Sequence, residues 1–305
     1  MTRIGYCCIA LGINEGLSKK DQISVNRGMV KRTFESKGLD YVSDLVIQNL
    51  NDTLKVIDYN IKNNILVYRM SSDSFPWCSH FQFEDLPRFK VILGLLQKIG
   101  DKVKSSGMRV GFHPGQYNIL GSENPQVVEN SIDDLNKHAQ ILDMMGLEQS
   151  TYYSVNIHLS TTKPSREEAA ERFCKNFERL SESAKKRLTV ENDDKLAQYT
   201  VQHLFEMVHK KISIPIIIDS LHFSCHNDGF TWENSFRLAI STWGDVKPLV
   251  HHSSSRKIWE DDSVTIQTHS DFLYEKFENF DVEVDIELEC KAKDLALFRY
   301  KNQFL

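Results

Sequence analysis

The sequence has no apolar run of about 18 residues, the length that a membrane-spanning helix needs. We therefore expect no association with a membrane. The six cysteines form no CxxC pair and no zinc-finger spacing, which favours free thiols in a reducing compartment. The predicted location is the cytoplasm of a prokaryotic or viral host, or the nucleus if the source is eukaryotic.

An excess of basic residues is also missing, because the formal net charge is −5 at pH 7. Nucleic-acid binders often carry such an excess. Bound metal ions can, however, supply positive charge where a phosphate would lie. The charge is therefore only weak evidence against a nucleic-acid partner.

No low-complexity segment or linker divides the 305 residues. Hydrophobic residues make up 41% of the chain and charged residues 26%, which is typical of a globular protein with a sizeable core. We predict a monomer with one domain over residues 1–305.

Strand patterns alternate with helical patterns along the chain. Such alternation indicates parallel βα units, and the length suits a (β/α)₈ TIM barrel of roughly 250 residues with insertions. We therefore predict an α/β fold of this kind, with a loop insertion at 256–263. The predicted strands are 3–10, 64–71, 108–114, 152–160, 187–192, 214–220, 247–253 and 282–289. The predicted helices are 43–61, 86–103, 125–146, one after Ser165, 201–209, and one from Ala292.

Histidines and carboxylates recur where these strands end or in the loop just beyond. The carboxyl ends of the strands form the catalytic face of a TIM barrel, and imidazole and carboxylate are ligands of divalent metals. Three further histidines in helical segments, His138, His203 and His209, are expected on the surface. The nine candidate ligands are His113, His158, Glu191, Asp219, His222, His251, His252, His269 and Glu289.

So many ligands favour chemistry at a phosphodiester. Two or three neighbouring metal ions can bind its oxygens, generate hydroxide near neutral pH and neutralise the leaving alkoxide. A central carboxylate such as Glu191 can bridge two metals. A sugar isomerase of the same barrel class needs fewer histidines, but it remains an alternative because the acidic composition suits a small polar substrate.

Several motifs resemble the ultraviolet-damage endonuclease family, which is related to endonuclease IV. The resemblance runs nearly end to end and includes HPGQY, VEND and DSLH in that order. The other segments that carry it are RIGYCC, RMSSDSFPW, VNIHLS, the STWG before strand seven, VHHSSS and ELECKAKDLAL.

The resemblance implies a DNA-repair enzyme that uses Mn²⁺, with Zn²⁺, Co²⁺ or Mg²⁺ as alternatives. It implies nicking of duplex DNA immediately 5′ to cyclobutane pyrimidine dimers, 6-4 photoproducts and abasic sites. The implied metal and catalytic residues fall into three sites. They are His113, His158 and Glu191 for the first, Glu191, Asp219, His251 and Glu289 for the second, and His222 and His269 for the third.

Contacts with damaged DNA are predicted from the same face. Gln116 and Tyr117 suit insertion into a duplex beside flipped bases. Tyr6 ends strand one, where it lines a lesion pocket or packs in the rim. Arg69 ends strand two, where it contacts phosphate or forms an ion pair. Further phosphate contacts are expected from Arg256 and Lys257, and base stacking from Phe75, Trp77 and Trp259.

The chain departs from the family pattern at three positions. Leu249 replaces a lysine that often lies two residues before the strand-seven histidine. Gln267 replaces an aspartate of endonuclease IV, so the third site would need help from His252 or Asp271. Ala10 replaces an asparagine. A damaged-DNA binder without catalysis, with a decayed third site, is therefore the second alternative.

Overall fold

Eight parallel strands form the centre of the protein in the computed structural model, which describes residues 1–305. Hydrogen bonding groups them into the orders β3-β2-β1-β8-β7 and β4-β5-β6. They are β1 Arg3–Cys7, β2 Val67–Arg69, β3 Arg109–Gly111, β4 Val155–Ile157, β5 Leu188–Glu191, β6 Ile216–Ile217, β7 Leu249–His252 and β8 Asp285–Leu288.

The two groups of strands join at both edges and close into a barrel. Phe112 bridges to Val155, and its amide donates a hydrogen bond of 2.9 Å to the carbonyl of Ser154. On the other side Asp219 bridges to His251, whose amide donates to the carbonyl of Ile218 at 3.0 Å. Every strand therefore has two neighbours, and the predicted (β/α)₈ barrel is confirmed.

Helices surround the barrel, and two of the predicted starts are confirmed by their caps. Asn124 accepts a hydrogen bond from the amide of Gln126, and Ser165 accepts one from Glu168. The helices are α1 Lys31–Lys62, α2 Phe89–Ser106, α3 Pro125–Met144, α4 Arg166–Phe177, α5 Glu182–Arg187, α6 Val201–Leu204, α7 Lys210–Ile212, α8 Ser220–Cys225, α9 Trp232–Ser241, α10 Arg256–Trp259 and α11 Lys293–Phe304. None of them combines the length and the apolarity that a bilayer crossing requires.

Two helices differ from the predicted bounds for local reasons. Helix α1 starts twelve residues before the predicted residue 43, because residues 31–41 include no buried side chain and so show no apolar period; a kink at Gly38, with φ 62°, separates this first part from the rest. A turn of π-helix over Phe205–His209 joins α6 to α7, so helical structure continues past the predicted end at residue 209.

The sixth strand is much shorter than predicted and shapes the site. It covers only Ile216–Ile217, and Asp219 then caps α8 by accepting a hydrogen bond of 2.8 Å from the amide of His222. The chain therefore turns from strand to helix at Asp219. His222 lies in the first turn of this helix and not at a strand end.

Alternate residues of β8 point into the barrel. Asp285 lies at its amino end, where Nε of Arg3 donates to the carboxylate at 2.9 Å and Nζ of Lys247 donates at 2.6 Å. Glu287 and Glu289 follow at intervals of two towards the other end. Strand β8 thus runs from the charged cluster around Asp285, at the amino ends of the strands, to the face that carries the candidate ligands.

Candidate metal centre at the carboxyl ends of the strands

Glu191 lies at the centre of the candidate ligands. It ends β5 and is completely buried. Its Oε2 is 3.0 Å from Nδ1 of His251, 3.3 Å from Nε2 of His113 and 3.9 Å from Nε2 of His158. Its Oε1 is 3.2 Å from Nδ1 of His222. Histidines from four different segments therefore converge on one carboxylate, as a bridging position requires.

The donor atoms form two groups that could each hold an ion. One group is His113, His158 and Glu191, and the other is Glu191, Asp219 and His251, with all donor atoms of a group within 4.8 Å of one another. These groups correspond to the first two predicted sites. Glu289 lies beside the second, with its Oε1 3.2 Å from Nδ1 of His251.

His222 and His269 lie next to these groups, with ring centroids 6.0 Å apart. Nδ1 of His269 is 2.7 Å from the carbonyl oxygen of Glu289, and Nδ1 of His222 is 3.0 Å from that of Asn192. Because a carbonyl only accepts, each Nδ1 must donate its proton. Each Nε2 is then left with a lone pair, which suits the predicted third site.

The two suggested helpers of that third site do not contribute. The ring nitrogens of His252 contact the hydroxyl of Ser220 at 2.8 Å and the carbonyl of Glu275 at 3.0 Å. The ring packs against the aromatic rings of Phe277 and Tyr300. Asp271 is ion-paired with Arg256 at 3.4 Å. His252 is therefore a core residue, and its inclusion among the candidate ligands was wrong.

Several polar atoms of the centre are buried without a hydrogen-bond partner. They include Oε1 of Glu191 and both ring nitrogens of His251. Buried polar groups are normally satisfied, so such a concentration needs an explanation. A nitrogen and oxygen donor set that lacks protein partners fits divalent cations, and the residues present therefore suit the metal that the sequence predicts.

The acidic and imidazole groups of the cluster shift each other's pKa values towards their charged forms. Burial alone would raise the pKa of Glu191, but His251 and His158 outweigh it and hold that pKa well below its usual value. Burial likewise lowers the pKa of His251, whereas Glu191 and Glu289 raise it well above normal. The carboxylates are therefore ionised, which is the form that binds a cation.

Arg69 lines a cleft of about 220 Å³ above the centre, together with His113, His158 and Gln116. Its guanidinium is ion-paired with Glu289, and only 11% of the side chain is exposed. The arrangement matches the ion-pair alternative of the sequence analysis, while a phosphate contact stays a prediction. Arg256 and Lys257, the other predicted phosphate contacts, are engaged within their own loop. Arg256 is ion-paired with Asp271, and Lys257 donates to the carbonyl of Asp262 at 2.6 Å.

Tyr6 does not lie in this cleft. Its side chain is fully buried, and its hydroxyl donates a hydrogen bond of 2.9 Å to Oδ1 of Asn60 on α1. The ring points outward from the barrel to the helix layer, so the prediction that Tyr6 contacts a lesion was wrong. Gln116 and Tyr117 are both exposed, and Tyr117 is 80% exposed beside the cleft.

Other predicted positions differ as well. Phe75 is buried, and Trp77 stacks on Phe34, so neither offers a free ring for base stacking. Trp259 is 45% exposed and stacks on Tyr274. His138 is buried and contacts Phe112, so its assignment to the surface was wrong.

Three residues of the centre were missed in the sequence. Nδ2 of Asn156 donates to Oε2 of Glu191 at 2.6 Å, and Oδ1 of Asp193 lies 3.3 Å from Nδ1 of His158. Glu287 contacts His251 at 3.2 Å. Each lies one or two residues from a predicted ligand, so spacing along the strand was the available signal.

A family model described as UV-endonuclease UvdE matches residues 2–304. The chain belongs to this family. It is 32% identical to the UV DNA damage endonuclease of Bacillus cereus (strain G9842), over 88% of this chain and 84% of the relative. It is 30% identical to that of Clostridium perfringens (strain 13 / Type A), over 98% of this chain and 70% of the relative. The family predicted from the sequence is therefore confirmed.

Solved structures agree with this assignment. The crystal structure of SacUVDE superimposes with a TM-score of 0.83 at 29% identity and covers 99% of both chains. Endonuclease IV from Thermus thermophilus superimposes at 0.56, with 13% identity over 98% of each chain. The 3-keto-D-glucoside 4-epimerase YcjR from E. coli also gives 0.56, with 9% identity over 99% of this chain and 100% of the epimerase. The last two share the barrel fold alone.

Proposed function

We propose that this UvdE-family chain is a metal-dependent repair endonuclease that cuts duplex DNA immediately 5′ to ultraviolet lesions. The lesions proposed are cyclobutane pyrimidine dimers, 6-4 photoproducts and abasic sites, with a 3′-hydroxyl and a 5′-phosphate as products. The observation that carries the proposal is the convergence of four imidazoles on the buried Glu191, in a chain that the UvdE model matches from residue 2 to 304.

The residues that would hold metal are those of the three predicted sites, with Mn²⁺ as the proposed ion. Bound divalent cations supply Lewis acidity and charge neutralisation to phosphodiester hydrolysis. Glu191 would bind through both carboxylate oxygens, since each faces different histidines. The orphaned buried donor atoms support this assignment.

The chain's own groups prepare the site in other ways. Asp193 and the carbonyl oxygens of Pro114, Asn192 and Glu289 face the Nδ1 atoms of the surrounding histidines and orient the rings. Such outer contacts fix the tautomer and direction of metal-binding imidazoles. The centre opens to solvent through the cleft beside Gln116 and through an adjoining opening lined by His158, Asp193 and His222.

Gln116 and Tyr117 would test the DNA for damage. Both are exposed on the loop that follows His113, next to the cleft. An exposed ring and amide there can fill the gap left by flipped bases. Damaged bases cost less energy to unstack than intact ones. Insertion of this pair would therefore favour damaged over intact duplexes.

We expect Tyr117→Ala to weaken binding of a duplex with one pyrimidine dimer by roughly ten- to a hundredfold, because stacking on an aromatic ring contributes about 1–3 kcal/mol per base. Fluorescence anisotropy with labelled duplexes measures this change. Tyr41→Ala, on the outer helix α1, is the matched control and should bind as the unaltered chain does. Equal affinities of all three proteins for the dimer would contradict the probing role.

Ultraviolet-irradiated supercoiled plasmid should be relaxed by the purified protein with Mn²⁺, whereas unirradiated plasmid should stay supercoiled. Chelation with EDTA should abolish relaxation, and added Mn²⁺ should restore it, because the donor set needs divalent cations. Gel electrophoresis separates the two plasmid forms. Equal nicking of both plasmids would refute lesion specificity, and nicking in EDTA would refute the metal requirement.

Two rivals are decided by related assays. A barrel epimerase would interconvert ketoses without cutting DNA. The epimerase YcjR has this fold with 9% sequence identity to the chain. A decayed, non-catalytic binder would hold irradiated duplex tightly but leave it intact in Mn²⁺, Mg²⁺, Co²⁺ and Zn²⁺. The identity to UV DNA damage endonucleases along most of the chain favours the nuclease over both.

A further inference from the structure

Glu287 is a buried acid beside the centre that belongs to none of the predicted ligand sets. It is 3% exposed, and its Oε2 has no hydrogen-bond partner. This oxygen lies 3.2 Å from Nε2 of His251, at the upper end of hydrogen-bonding distance. The pairing of β7 with β8 places the two residues directly side by side.

The orientation of His251 is the reverse of that of His113 and His158, and resembles that of His222, whose Nδ1 also faces Glu191 at 3.2 Å. His113 and His158 direct Nε2 at Glu191, at 3.3 and 3.9 Å. His251 directs Nδ1 at Glu191 instead, at 3.0 Å. A neutral imidazole carries one proton, so Nδ1 can offer its lone pair only when Nε2 holds that proton. The proton on Nε2 then needs an acceptor inside the barrel.

We propose that Glu287 is this acceptor and thus a positioning residue for His251. The carboxylate receives a hydrogen bond from Nε2–H, which fixes the tautomer and turns the Nδ1 lone pair towards Glu191 and Asp219. The inference rests on the proposed metal centre, since the fixed lone pair is useful only to an ion. It adds to that centre an outer carboxylate, an arrangement that commonly orients metal-binding histidines.

No other neighbouring group is placed to accept a hydrogen bond from Nε2–H of His251. Leu249, two residues before His251 on β7, is buried in an apolar cluster with Val67, Ile217 and Trp243. Neither Nε2 of His251 nor Oε2 of Glu287 has another hydrogen-bond partner, and their own 3.2 Å approach is a contact that still lacks the angle of a formed hydrogen bond. A structural role for Glu287 through Arg69 is weaker. Their atoms are 3.7 Å apart, whereas Glu289 forms the closer ion pair with the same guanidinium.

The test compares Glu287→Leu with Glu287→Gln, both read out as Mn²⁺ affinity from the electron paramagnetic resonance signal of free Mn²⁺. We expect Glu287→Leu to bind Mn²⁺ about 10–100-fold more weakly, the usual effect of losing an outer partner of a metal-bound histidine. Glu287→Gln keeps an acceptor oxygen and should lose less than about tenfold. Glu283→Gln, an exposed residue at the other end of the barrel, is the control.

Thermal unfolding of the metal-free proteins excludes a simple loss of fold. The leucine variant should melt close to the unaltered chain, because Arg69 keeps its closer ion pair with Glu289 and the apolar side chain leaves no unpaired carboxylate. A second readout is ¹⁵N–¹H correlation of histidine side chains in the Zn²⁺ form, where His251 should carry its proton on Nε2. Loss of the assigned signals in His251→Gln identifies them.

The outcomes separate this inference from the function on which it rests. Unaltered Mn²⁺ affinity in Glu287→Leu, with normal binding by the unaltered chain, overturns the positioning role alone. Equal weakening in the leucine and glutamine variants also overturns it, because charge and not the acceptor would then matter. Absence of Mn²⁺ binding by the unaltered chain overturns the metal centre and this role together.

Discussion

Glu191→Gln should remove almost all nicking of irradiated DNA while the fold survives. Glu191 is the one carboxylate shared by both groups of donor atoms, so its loss would affect both of the proposed ions at once. Residues that act as a unit in catalysis show large, non-additive losses. We therefore expect the nicking rate to fall by about 10³-fold or more.

The glutamine should be tolerated in the buried position. It has nearly the same volume, and its amide can donate to a neutral ring nitrogen of His113 or His251. Circular dichroism and thermal unfolding measure the fold, and plasmid relaxation measures the rate. Glu206→Gln, an exposed acid paired with Lys210 on the outer layer, is the matched control. Near-normal nicking in Glu191→Gln would contradict the shared-carboxylate arrangement.

The sequence was sufficient to place most candidate ligands at one end of one barrel. The eight strand patterns were recognisable, and parallel strands bring their carboxyl ends to a common face. That reasoning needs only the position where each strand ends. The position of Asp219 was therefore predicted correctly although β6 is only two residues long, because Asp219 still follows the end of that strand.

The direction of individual side chains was harder to predict. Tyr6 pairs with Leu288, and its neighbour Gly5 pairs with Glu287, so Gly5 faces the interior and Tyr6 faces α1. A shift of one residue reverses the two faces. The segment RIGYCC is largely apolar on both faces, as parallel strands often are, so its pattern does not reveal which residues point inward.

The same alternation explains why Glu287 was missed. Asp285, Glu287 and Glu289 lie on one face of β8, yet only the last was chosen because it follows the strand end. A carboxylate inside a barrel strand is costly unless charges compensate it. The compensating groups, His251 and Arg69, come from β7 and β2. Their proximity depends on barrel closure, which no local pattern contains.

The largest effect on stability is expected from Asp285, at the opposite end of the same strand. Its carboxylate is completely buried among Arg3, Arg109 and Lys247. Arg3 and Lys247 are each 24% exposed and can turn to water, but Arg109 is only 2% exposed. Asp285→Asn would leave the buried guanidinium without a counter-charge. We expect a loss of about 3–5 kcal/mol in the free energy of unfolding.

Denaturant unfolding at pH 7 measures this loss, and a double variant tests its cause. Replacing the buried pair by apolar residues, as in Arg109→Met with Asp285→Leu, should recover much of the stability, because no buried charge is then left alone. Recovery by the second substitution would show that the two residues are coupled. Equal or greater instability of the double variant would instead attribute the loss to packing.

The pH dependence provides an independent check on the same cluster. Burial would raise the pKa of Asp285, but the hydrogen bonds from Arg3 and Lys247 and the charge of Arg109 outweigh it and hold that pKa below its usual value. A depressed pKa contributes stability above the unfolded-state value of about 4, and the contribution is lost as the pH falls through the folded-state value. The difference between the unaltered chain and Asp285→Asn should therefore be largest near neutral pH and should shrink below about pH 4. A difference that stays constant on acidification would mean that the charge of Asp285 does not stabilise the barrel, and that Arg109 is accommodated by the carbonyl oxygens of Lys247 and Thr151 alone.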